Sequence, residues 1–217
     1  MISKVTNEDC MTLMAGYPDK HFDLAVVDPP YGMIGNVFCT TAKDFMMPGC
    51  VAAYVDRGGA SGFSLGERPT KNYFDELFRV TKNQIIWGMQ YFVDNLRPTQ
   101  CVVIWDKQIP DGVRFSDAEL AWTSFKFRVS IYKKRNINGG RIHPTQKPIH
   151  LYDWIFKNYA QPGQLILDTH LGSGSSRIAA DRAGLDFVAC ELDADYFEAQ
   201  EKRFKQYKSQ LTIFPNQ

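Results

Sequence analysis

The sequence predicts an α/β domain built on one mostly parallel sheet, with a hairpin in it and helices on both faces. Three observations lead there. Short apolar runs alternate with amphipathic segments along the chain, the pattern of strands joined by crossover helices. Two of those runs end directly in loops of ligand-binding character, at Asp28 and at Asp168, as strands of open α/β sheets do at their carboxyl ends. A chain of 217 residues, 44% apolar and 23% charged, also buries one substantial core near the upper end of single-domain size. Residues 1–217 are therefore read as one domain, with substrate-facing insertions at about 33–72 and 106–141.

The elements follow in order. Apolar spacing predicts a first helix over 8–16, and the continuous apolar run Phe22 to Val27 a buried strand. Residues 32–72 carry glycine, proline and polar residues with weak periodicity, including the glycine-rich patch 58–66, and are read as a long functional loop. A helix over 73–80 and strands at Gln84 to Trp87 and Cys101 to Trp105 come next, followed by a second loop at 106–115. Two alternating runs, Ala118 to Trp122 and Phe125 to Ile131, are too close for a crossover helix and predict a hairpin with each other. Pro148 opens a helix over 150–159, Leu165 to Leu167 is a strand, and a helix over 175–183 closes on Gly184. Phe187 to Cys190 forms the last strand, and Asp193 caps a final helix over 194–208.

Bulk properties exclude several classes. A formal charge of +1 gives no global polyanion signal, so any nucleic-acid contact must come from local clustering. Cysteines at 10, 39, 50, 101 and 190 are odd in number and form no Cys-x-x-Cys pair, against a disulfide framework and against a zinc site. With neither a signal-like amino terminus nor an apolar stretch of membrane-spanning length, a soluble cytoplasmic protein is expected.

Asp28-Pro29-Pro30-Tyr31-Gly32 follows a buried strand. An exocyclic amine on an aromatic base is a poor nucleophile, because its lone pair is conjugated with the ring. An ionised Asp28 and the carbonyl of Pro29 suit the two amino hydrogens, and would steer the nitrogen toward an attacking geometry. Pro29 and Pro30 fix the carbonyl angles and add no competing N–H, while Tyr31 offers a flat face to an unstacked base. A plain strand end with a Pro-Pro turn is the alternative.

Asp168-Thr169-His170-Leu171-Gly172-Ser173-Gly174-Ser175 also follows a strand, and it opens a helix whose amino terminus favours a carboxylate. A dinucleotide loop would carry a third glycine where Arg177 stands, so the NAD fingerprint fails. Glu191, about twenty residues on, ends the next strand and is placed to take both hydroxyls of a ribose. A glycine loop with a ribose carboxylate and no phosphate clamp fits S-adenosylmethionine. His143-Pro144-Thr145-Gln146-Lys147-Pro148 reads by itself as a helix entry. Lys147 and His143 gain meaning only if this turn folds beside the glycine loop, where Lys147 could meet the carboxylate of a bound amino-acid moiety.

Taken in this order, the motifs resemble the beta class of DNA amino-methyltransferases, common among bacterial and phage enzymes, which act on N6 of adenine or N4 of cytosine. The resemblance spans nearly the whole chain. It implies a single Rossmann-like methyltransferase domain with circularly permuted motif order, S-adenosylmethionine as cofactor, double-stranded DNA as substrate and no metal, and it allows a homodimer. By the same resemblance Asp28, Pro29, Pro30 and Tyr31 would be catalytic. Asp9, Cys10, Asp28, His143, Thr145, Lys147, Asp168, Gly172, Ser173, Gly174, Ser175 and Glu191 would line the cofactor pocket. An aspartate opening the tetrapeptide is typical of members acting on adenine, a serine of those acting on cytosine.

Two departures stand out: His170 occupies a position where relatives commonly have phenylalanine, and the recognition insert between Ile34 and Arg141 is split and modest. Direct transfer from sulfonium to amine is expected. The carbon-5 cytosine chemistry is excluded, since its thiolate usually follows a proline and no cysteine here does. DNA contact is assigned to Lys126, Arg128, Lys133, Lys134, Arg135 and Arg141, a stretch without an acidic residue, interleaved with Phe127 and Tyr132. The alternatives are a cytosine-N4 enzyme, an RNA-base or protein-amide methyltransferase, and a non-catalytic nucleic-acid-binding subunit.

Overall fold

The structure is a computed structural model, and it describes residues 2–32, 67–110, 116–135 and 140–213. Residues 33–66 of the first insertion, and with them Cys39 and Cys50, lie outside the described residues. So do 111–115 and 136–139 of the second.

Among the described residues the order is β1 (Ser3–Asn7), α1 (Cys10–Ala15), β2 (Phe22–Val27), α2 (Lys71–Val80), β3 (Thr81–Trp87), β4 (Val102–Asp106), β5 (Ala118–Thr123), β6 (Ser130–Lys133), α3 (Ile149–Tyr159), β7 (Leu165–Asp168), α4 (Ser175–Arg182), β8 (Asp186–Glu191) and α5 (Ala194–Ile213). Eight strands form one sheet in the order β1-β8-β7-β2-β3-β5-β4-β6. All neighbouring pairs are parallel except those made by β5, which runs antiparallel to β3 and β4.

Alternation along the central strands sends side chains into two cores. Leu24, Val26, Ile85 and Trp87 face one way and pack with Leu151, Ile155 and Phe156 of α3 and Ala179 of α4. Ala25, Val27 and Ile86 face the other and pack with Leu13 and Met14 of α1 and with Tyr73, Phe74 and Leu77 of α2. Both faces of the inner strands are thus covered, which is why they read as continuous apolar runs. No helix among the described residues is long and apolar enough to cross a membrane.

Two expectations are corrected. The runs at 118–122 and 125–131 do not pair with each other: β4 lies between β5 and β6, antiparallel to the first and parallel to the second. The antiparallel pair is β4 with β5, one strand earlier, in register from Val102 opposite Trp122 to Asp106 opposite Ala118. Nearness in sequence suggested the wrong partner, because β5 gains more by filling the slot between two apolar strands than by folding onto its exposed successor. The edge strand β1 was not read at all. Half-exposed and polar, it lacks the apolar signal, and it is held by in-register parallel pairing of Ser3 to Asn7 with Phe187 to Glu191.

Candidate functional site

β2 and β7 are parallel neighbours, with Leu24 beside Ile166 and Ala25 beside Leu167. The loops that leave them, at Asp28 and Asp168, therefore emerge from the same edge of the sheet. β8 pairs in parallel on the other side of β7 and brings Glu191 to that edge as well.

At the β2 end, Asp28 receives the Tyr31 hydroxyl on Oδ1 at 2.7 Å and the Lys147 ammonium on Oδ2. The Tyr31 ring stacks on Tyr91, 4.6 Å between centroids and 18° from parallel. It also lies against Gly88, which has φ of +72°; a Cβ there would stand 2.2 Å from the Tyr31 ring, so no other residue fits without moving the tyrosine. Tyr91 thus covers one face of the ring that the sequence reading left free for a base. Burial, with Asp28 and Glu119 close by, holds the Tyr31 phenol well above its ordinary range, so it stays a donor to Asp28.

The turn at 143–148 does fold beside the glycine loop. The His143 ring lies 3.6 Å from where a Gly172 Cβ would be, packs edge-on against Tyr196 at 4.3 Å, and pairs through Nδ1 with Thr145 Oγ1 at 3.1 Å. Lys147, with 4% of its side chain exposed, reaches the β2 end and lies between Asp28 and Glu119 with the latter at 3.2 Å. Burial opposes its charge, but the two carboxylates outweigh that and raise its ammonium above the ordinary range.

In the glycine loop, Asp168 is buried and accepts from Ser176 Oγ at 2.6 Å and from the His170 N–H at 3.1 Å. Burial nevertheless pushes its carboxyl up to about 7. Gly174 has φ of +71° and starts α4, close against Gln200. Ser173 and Ser175 pair through their hydroxyls at 3.1 Å, and Arg203 of α5 clips both, donating to the Ser173 carbonyl at 2.7 Å and to Ser175 Oγ at 2.9 Å. Glu191 accepts the Gly172 N–H at 2.7 Å on Oε2 and the Asp193 N–H at 3.0 Å on Oε1, fastening the loop to the end of β8. His170 takes the phenylalanine position by bonding Thr169 Oγ1 at 2.9 Å and packing on Tyr73, whose hydroxyl meets the same Thr169 oxygen at 2.7 Å.

Asp9 caps α1, accepting from the Met11 and Thr12 N–H groups at 2.8 and 3.4 Å, and Cys10 is half-buried at its start. Asp193 caps α5 in the same way, as expected. The basic residues divide. β6 runs parallel to β4, hence with β2, so Lys133, Lys134 and Arg135 lie at the sheet edge where Asp28 and Asp168 emerge, while Lys126 and Arg128 precede the start of β6. Phe125 and Phe127 pack near Tyr159, at the far end of α3. Arg141 is exposed just before the His143 turn. Glu119, Tyr91, Gly88, Ser176 and Arg203 were not found from sequence. Each is a lone residue without a motif, and only the alternating pattern at 118–122 hinted that Glu119 would face inward or outward with its neighbours.

Residues 104–202 match the family model described as DNA methylase. Over 231 aligned positions, 93% of this chain and 90% of the relative, the chain is 26% identical to the methylase-like protein YubD of Escherichia coli (strain K12). It is 32% identical over 99 residues to the type II methyltransferase M2.DpnII of Streptococcus pneumoniae, 46% of this chain and 34% of that one. Among solved structures, the M1.HpyAVI–SAM complex superposes with a TM-score of 0.59 at 17% identity, covering 94% of this chain and 99% of that one. PvuII DNA methyltransferase, cytosine-N4-specific, gives 0.62 at 13% identity, covering 94% and 86%. At that identity these structures speak for the fold.

Proposed function

We infer that this chain, which matches the DNA methylase family model over residues 104–202 and is similar to a methylase over 93% of its length, transfers the methyl group of S-adenosylmethionine to the N6 amino group of adenine in DNA. The observation that carries the reading is the shared sheet edge: Asp28, held by Tyr31 and Lys147, faces the same side as the loop Asp168 to Ser175 and the carboxylate of Glu191.

The residues fit the cofactor. The left-handed glycines let the loop backbone approach a ligand, and the amino terminus of α4 suits the carboxylate of its amino-acid moiety. Each Glu191 oxygen accepts one backbone N–H and keeps lone-pair capacity for a ribose hydroxyl. Burial lowers the His170 imidazole to about 4, so the ring is neutral and adds no charge to the glycine loop. S-adenosylmethionine supplies a methyl group on a sulfonium, already an activated leaving group.

The chain's own work is done at the amine. Asp28 and the Pro29 carbonyl take the two amino hydrogens and turn the nitrogen lone pair out of conjugation. Tyr31 fixes the Asp28 carboxylate through its hydroxyl and offers the base its ring, backed by Tyr91. Lys133, Lys134, Arg135 and Arg141 meet phosphates at this edge and set the duplex in register.

Aspartate at the head of the tetrapeptide favours adenine. The cytosine amine is the second reading, supported by the likeness of the fold to a cytosine-N4-specific enzyme. Incubation with labelled cofactor and unmodified genomic DNA, followed by nucleoside analysis, tests both. N6-methyladenine is expected; N4-methylcytosine would transfer the assignment to the other base, and no label in DNA would overturn the reading.

A further inference from the structure

We propose that Glu119 is a positioning residue of this site, keeping Asp28 available to the target amine by sharing the Lys147 ammonium with it. The proposal rests on the functional reading above. Four side chains from four separate segments form a line of alternating charge: Asp28 after β2, Lys147 from the turn before α3, Glu119 on β5, and Lys107 after β4. Lys147 meets Asp28 on one side and Glu119 Oε2 at 3.2 Å on the other, and Glu119 Oε1 takes Lys107 at 3.0 Å. The Trp87 ring lies 5.3 Å from the Lys147 nitrogen, Tyr31, Tyr152 of α3 and His143 are further titratable groups of this cluster among the described residues, and water has little access.

The geometry gives Glu119 a specific task. A buried ammonium with one carboxylate partner would draw fully onto it. Asp28 would then have Tyr31 on one oxygen and an undivided lysine on the other, with its remaining lone pairs weakened as acceptors for an amine. With a second carboxylate opposite, the lysine charge is divided and Asp28 keeps net negative character. That character matters most in the transition state, when positive charge leaves the sulfonium and appears on the amine. Glu119 is held ionised against its burial by Lys147 and Lys107, below its ordinary range.

The position of β5 makes this arrangement. As the antiparallel strand between β3 and β4, it brings its first residues to the edge where the parallel strands end, and Glu119 stands opposite Trp105 there.

The test uses the full chain and compares Glu119→Gln, isosteric and uncharged, with Glu119→Asp, in single-turnover and steady-state methyl transfer. For Glu119→Gln, kcat should fall by about 10- to 100-fold with KM for DNA nearly unchanged. Glu119→Asp should recover part of the rate. An unaltered chain that transfers methyl groups alongside an equally active Glu119→Gln would overturn the proposal alone. So would Glu119→Gln and Glu119→Asp variants that are equally slow, or a loss carried by KM for DNA with kcat unmoved, as a packing role would make them. No transfer by the unaltered chain would overturn the functional reading together with this proposal.

Discussion

Asp168 and His170, two residues apart in one loop, titrate in opposite senses. Burial pushes the Asp168 carboxyl up to about 7, so the folded chain holds a proton there that the unfolded chain has lost. Folding is then favoured by this group at low pH and disfavoured as pH rises toward 7. Burial lowers the His170 imidazole from 6.5 to about 4, so the unfolded chain binds the extra proton between those values. The stability that comes from keeping this ring neutral is complete above about 6.5 and lost as pH falls through 4. The two effects oppose each other across the same window, and a substitution at one exposes the other. His170→Phe should gain stability relative to the unaltered chain as pH falls from 6.5 to 4, by up to about 3 kcal/mol. Urea unfolding across that range checks it, and a difference that stays flat with pH would mean that the imidazole is not held neutral. The sequence marked position 170 as a departure; the partners Tyr73 and Thr169 that make histidine tolerable there come from α2 and the end of β7, and no local pattern names them.

Among the elements, β6 carries a consequence for DNA. Read as a linear cluster, Lys126 to Arg141 is one basic patch; as a strand with a direction, it separates the end beside the proposed site from a far end. Lys134→Ala with Arg135→Ala should flatten the dependence of DNA affinity on salt by roughly two phosphate contacts, each about 0.9 in the logarithmic slope. Lys126→Ala with Arg128→Ala should leave the slope where it was. Binding isotherms at several salt concentrations measure both, and equal flattening by the two pairs would return the whole stretch to the interface. The strands β2, β7 and β8 were legible because burial on both faces writes them as apolar runs. The placement of β5 was not, since an alternating run says only that one face is covered and never which neighbour covers the edges. Glu119 was lost with it: the residue is plain in the sequence, but its company depends on where β5 sits.

At the scale of the molecule, the proposed cofactor end and the proposed amine end of the site are built from different strands and should fail separately. S-adenosylmethionine at about 100 times its Kd should stabilise the fold by about 2.7 kcal/mol, a rise of about 5–10 °C in Tm for a chain of this size. Asp28→Ala should keep that rise while abolishing methyl transfer. Loss of both would make Asp28 a structural support of the pocket, and thermal melts with and without cofactor, run beside the transfer assay, distinguish the outcomes.

By itself the sequence determined the fold class, the two loops that leave the parallel strands and the identity of the groups within them. Periodicity, glycine and proline placement, and the chemistry of a short motif are local properties, carried by adjacent residues. What the tertiary structure alone decided is company: that Lys147 answers Asp28 and Glu119, that Tyr91 backs Tyr31 across Gly88, and that Arg203 reaches back from the last helix to the glycine loop. Those pairings depend on the order of strands in the sheet, and that order is set by which apolar faces and edges fit together over the whole chain, a sum that no single segment contains.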